Sequence, residues 1–93
     1  MRITFGQQKR ERTLRERGLD FADARRVFAG RHATLPDDRK DYGEDRFISA
    51  GMLDGRLVVL VWTPRGVARR IIPMRHAHAK EEHRWRIHLD RPG

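Results

Sequence analysis

Ile3 and Phe5 alternate with polar neighbours in "MRITF", the period of a short opening strand. "QQKRERTLRERG" holds good helix formers and stops at Gly18, a residue suited to the position just past a helix end. Leu14 is the only strong apolar anchor of that helix, which predicts a place at the edge with arginine stems laid on the core. "LDFADARRVFAG" has the firmer pattern. Phe21, Ala24, Val27 and Phe28 fall on one helical face, Asp20 can cap the start, and Gly30 can close the end.

Residues 37–45 pack five acids between Pro36 and the following strand and read as a loop. A short strand near Ala33–Leu35 can precede it. "RFISAGML", the pair Asp54-Gly55 and "RLVVLVWT" then form a hairpin with the dipeptide favoured by type I′ turns. "TPRG" turns the chain again through Pro64 and Gly66, and "VARRII" returns as a third strand. Pro73 is expected to end that strand. "HAHAKEEHRWRIHL" continues as a helix from near Arg75, with Ala77, Trp85 and Leu89 toward the sheet. Asp90–Gly93 are expected to fray.

The fold class implied is α+β: a single domain over residues 1–93. A three-stranded antiparallel meander and a short N-terminal strand pack with two N-terminal helices and one C-terminal helix.

Composition changes this picture in one respect. The chain has 21 Lys and Arg against 13 Asp and Glu, a formal charge of +8. Such a surface suits a polyanionic partner, a nucleic acid or an acidic protein, because binding releases counterions from phosphates. There are no cysteines, which excludes disulfides and thiolate metal sites. No apolar run is long enough to span a membrane and the start lacks a signal-peptide core, so a cytoplasmic protein without membrane contact is expected.

Candidate chemistry concentrates in "RRIIPMRHAHAKEEHRW", Arg69 to Trp85. On a helix beginning near Arg75, His76, Lys80 and His83 would share one face, beside Arg69 or Arg70 from the third strand. An imidazole there can move protons near neutral pH, and guanidinium groups can hold a phosphate. Spacing alone favours a solvated or partner-binding face over a catalytic one. His76 and His78, two apart on a helix, point in opposite directions and cannot chelate together. His78 with Glu82 lacks a third ligand, so neither metal nor cofactor is expected. Trp62 reads as sheet packing rather than a base-stacking platform.

The segments "ITF" with Lys9, "LRERGLDFADARRVF", "DYGEDRFISAG", "GRLVVLVWTPRG" and "RRIIPMRHAHAKEEHRW", in this order, resemble the BrnT family. These are toxins of bacterial type II toxin–antitoxin pairs. Lys9, Gly18, Phe21, Glu44, Arg46, Arg70, Arg75, Ala77 and Glu81 match family positions. Pro73 stands where Ser is usual, and Arg17 and Trp62 where His is common.

The resemblance implies a fold like that of RelE-type ribonucleases and a metal-independent endoribonuclease that inhibits translation. It also implies neutralisation by a BrnA-like ribbon-helix-helix antitoxin, with operator DNA bound only through the complex. Under that reading Arg70, Arg75, His76, Lys80 and Glu81 form the catalytic set. Lys9, Arg10, Arg12, Arg46 and Arg69 bind RNA. The competing reading is a non-catalytic basic module that binds nucleic acid or an acidic protein.

Overall fold

Apolar strand segments, one of them the continuous run Leu57–Trp62, and helical spacing in two others build a sheet with helices on both faces. The computed structural model describes residues 1–90; the expected fraying of residues 91–93 lies outside the described residues. The elements are β1 (Arg2–Thr4), α1 (Gln7–Arg17), a 3₁₀ turn (Phe21–Asp23), α2 (Ala24–Ala29), β2 (His32–Pro36), β3 (Phe47–Leu53), β4 (Arg56–Arg65), β5 (Ala68–His76) and α3 (Ala79–Leu89).

The sheet order is β1-β5-β4-β3-β2. Four strands are antiparallel neighbours, but β1 pairs parallel to β5, Arg2–Thr4 against Ala68–Arg70. The sheet is thus mixed and five-stranded, which corrects the expected three-stranded antiparallel meander with one added strand. A parallel pair made by three residues far apart in sequence leaves no local signature. The short strand expected near Ala33–Leu35 is present as β2, paired with β3.

Local chemistry explains several boundaries. Gly18 has φ 68° and its N–H reaches the carbonyl of Leu14, closing α1. The Asp20 side chain accepts from the Ala22 N–H at 2.9 Å and starts the 3₁₀ turn that leads into α2. Asp54 and Gly55 have φ 50° and 81°, as a type I′ hairpin needs. The next turn lies two residues later than expected. β4 runs through Pro64 and Arg65, and Gly66–Val67 make the turn, with φ 58° at Gly66.

Pro73 does not end the third strand; β5 continues to His76. Leu60 opposes Met74 and Trp62 opposes Ile71, so β5 carries one extra residue there. The irregularity absorbs a proline that cannot donate to a ladder. α3 therefore begins at Ala79, four residues beyond the expected start near Arg75.

Two apolar clusters sandwich the sheet. One, under α2 and the 3₁₀ turn, joins Phe21, Val27, Phe28, Val58, Leu60, Trp62, Ile71 and Met74. The other, under α3, joins Ala50, Leu57, Val59 and Trp85, flanked by Ala77 and Leu89. Trp62 packs as expected, donating its Nε1–H to the Ser49 hydroxyl at 2.9 Å. α1 buries no residue and lies beside β5, where Arg17 donates to the Met74 carbonyl at 3.0 Å.

Candidate active site

The residues expected to share a helical face are divided by β5. Arg75 opposes Val59 and His76 opposes Val58. Val59 belongs to the cluster under α3 and Val58 to the cluster under α2. Facing residues of paired strands share a side, so Arg75 and His76 point to opposite faces. Burial holds the His76 imidazole below its ordinary value, with the charge of Arg56 adding to the effect, and its buried Nδ1 has no partner among the described residues. The expected grouping of His76, Lys80 and His83 on one helix does not form, because His76 lies in the strand.

What forms instead is a groove of about 520 Å³ on the α3 side of the sheet. Ile48, Val59, Val61, Pro73 and Trp85 contribute apolar surface; Arg39, Arg75, Glu81, Arg84 and His88 contribute the polar groups. Three elements bring these together. β5 supplies Arg75. α3 supplies Glu81, Arg84 and His88, at spacings of three and four that place them along one side of the helix. The acidic loop supplies Arg39, fixed by a fork to Asp37 at 2.7 and 2.9 Å, and this partner holds the Asp37 carboxyl below its usual range.

Arg75 and Glu81 form a two-pronged ion pair within the groove. Nη1 and Nη2 of Arg75 donate to the two carboxylate oxygens at 2.6 and 2.7 Å, while Oε1 also accepts the His78 N–H at 2.9 Å. These bonds, led by the guanidinium, push the Glu81 carboxyl down to about 2. Glu81 is therefore ionised at neutral pH. It ties the first turn of α3 to β5 and presents Arg75 to the groove in a fixed orientation.

The other expected residues fall elsewhere. Lys80 is exposed and outside the groove. Arg70 lies by Lys9 in a separate depression of about 370 Å³ beside the start of α1. Arg10 is held in a fork by Asp20, at 2.8 and 3.0 Å. Arg46 stacks 3.9 Å above the Tyr42 ring, and Arg69 lies 4.5 and 4.4 Å from the centroids of Phe28 and Trp62 on the α2 side. Arg39, Arg84 and His88 escaped the sequence reading. Arg84 and His88 directly precede Trp85 and Leu89, two of the three residues recognised as core-facing, and that offset was the available signal; Arg39 had none.

Among the described residues, no three His, Asp or Glu side chains converge as a metal site would require, and no helix is long and apolar enough to cross a membrane. A comparison with curated proteins finds no match. A family model described as the ribonuclease toxin BrnT of type II toxin–antitoxin systems matches residues 5–81, a span that takes in β2 to β5 and the start of α3. A ribonuclease toxin of such a system implies an RNA substrate and an antitoxin partner. The chain belongs to the BrnT family of type II toxin–antitoxin ribonuclease toxins.

Proposed function

We propose that this chain is one toxin domain, residues 1–93, acting in the cytoplasm as a metal-independent endoribonuclease that inhibits translation. The scissile phosphate sits in the groove under α3. The observation that carries this reading is the meeting of Arg39, Arg75, Arg84 and His88 around one concave surface in a ribonuclease-toxin chain.

The chemistry needs few groups. The 2′-oxygen attacks the adjacent phosphorus, and its proton passes to the His88 imidazole. The bond to the 5′-oxygen breaks, and that oxygen takes a proton from water. Arg75 and Arg84 stabilise the charge that builds on the phosphorane oxygens. Glu81, ionised at neutral pH, is no proton donor; it positions Arg75. The roles expected of His76 and Lys80 pass here to His88 and Arg84, which face the groove. Kinship with RelE-type ribonucleases and neutralisation by a BrnA-like ribbon-helix-helix antitoxin, the complex binding operator DNA, complete the proposal.

The test is cleavage of RNA by the purified protein in EDTA. The expected products carry 2′,3′-cyclic phosphate ends. His88→Ala and Arg84→Ala are expected to slow cleavage by about 100-fold or more without loss of helix and sheet signal. Undiminished cleavage by both variants overturns the site. One observation favours the non-catalytic basic module: the Arg75 charge is already paired with Glu81. Salt-sensitive RNA binding with no cleavage at any pH would establish that alternative.

A further inference from the structure

β1 covers only Ala68–Arg70, so the rest of the same edge of β5 has no neighbouring strand among the described residues. α1 lies alongside it instead, and between them runs a cleft in two adjacent parts of about 370 and 200 Å³. Lys9 and Ile72 line both parts. Pro73 lines the second part and also the groove under α3, so the two cavities flank the irregularity of β5. We propose that the RNA strand held in the groove continues over Pro73 into this cleft, where Lys9, Arg12 and Arg70 hold its backbone. The inference rests on the groove being the RNA site.

The chemistry of the cleft favours a polyanion. Lys9, Arg12 and Arg70 make no ion pair among the described residues. The first turn of α1 has no acidic residue, and Glu16 is the one carboxylate of the lining among the described residues. Addition of a protein strand to this open edge is opposed twice. Pro73 has no N–H to offer, and the Met74 carbonyl already accepts from Arg17. A single RNA strand needs neither group. It can bend round a sheet edge, splay its bases, and leave its phosphates to the cations.

Length dependence tests the track. Binding is measured by fluorescence anisotropy with 2′-O-methyl oligoribonucleotides, which the protein cannot cleave, of four and twelve nucleotides. Wild type is expected to bind the longer one more tightly. Lys9→Gln/Arg12→Gln, both on the exposed polar helix, should weaken the 12-mer by about tenfold and lower its salt slope by about 1.4, roughly 0.7 for each phosphate that is no longer neutralised. The 4-mer should be unaffected. Equal loss at both lengths, or no loss at either, overturns the track. So does unchanged 12-mer binding with lost affinity for a co-expressed ribbon-helix-helix partner, which would make the cleft a protein-docking surface. Arg84→Ala reads the groove separately: it should weaken both lengths. Failure there, or absence of cleavage by the wild type, counts against the groove or the enzyme reading rather than against the cleft.

Discussion

Replacing Glu81 by glutamine removes a charge while keeping a carbonyl that can still accept the His78 N–H. The variant therefore isolates the ion pair with Arg75 from the cap of α3. Its magnitude follows from the carboxyl, held at about 2 instead of the ordinary 4.5. At about 1.4 kcal/mol per unit, this sets a ceiling of roughly 3 kcal/mol. Water reaches Arg75, whose side chain is 36% exposed, and screening brings the expected loss to about 1–2 kcal/mol. The loss is enlarged by Arg39, whose nearby charge Arg75 would then face without compensation.

The pH dependence has a definite sign. A carboxyl lowered by folding stabilises the native state above its unfolded value, near 4.5, and that contribution fades as pH falls toward 2. Urea unfolding of wild type and Glu81→Gln should differ by about 1–2 kcal/mol at pH 7, and the two should converge between pH 4.5 and 2. A variant as stable as wild type at pH 7, or a gap that persists at pH 2, would refute the assigned role of the pair.

Two further substitutions probe the scaffold. A Cβ on Gly51 would lie 2.9 Å from Val27 Cγ1 and 3.1 Å from the Arg31 carbonyl, so Gly51→Ala should cost about 1–3 kcal/mol in urea unfolding; a neutral result would mean that α2 can shift freely off β3. Ser49 is fully buried, accepts from Trp62 and bonds to Thr34 Oγ1 at 2.8 Å. Ser49→Ala leaves the indole N–H unpaired and should lower stability by about 1–3 kcal/mol, with a change in Trp fluorescence; an unaltered midpoint would show that the indole finds another acceptor.

The core was more legible than the site. Phe21, Ala24, Val27 and Phe28 fulfil their helical spacing because burying one face is what forms the 3₁₀ turn and α2; all four are buried. Asp54-Gly55 specified its own turn through backbone sterics alone. Such signals are local. The parallel β1–β5 pairing and the capture of Arg39 beside Arg75 join residues distant in sequence, and no spacing rule reaches them. Pro73 misled for a physical reason. Proline does bar a central ladder position, but an irregular stretch whose outer side lacks a partner strand tolerates it, so the strand ran on and α3 began four residues late. That shift removed His76 from the expected face, while Arg84 and His88 line the groove beside Trp85.

The extra residue in β5 has a consequence for sequence change. Before it, Arg69 and Ile71 look toward α2; after it, Met74 and His76 do, so the odd-numbered side has become the even-numbered one. Deleting one residue between Ile71 and Met74 would restore simple alternation. The downstream frame would be unchanged, with Arg75 still toward α3, whereas unbroken alternation through the full-length strand would send Arg75 inward and turn His76 out. The extra residue is therefore absorbed where it arises, and a permanent cation rather than a titratable ring stays on the groove side.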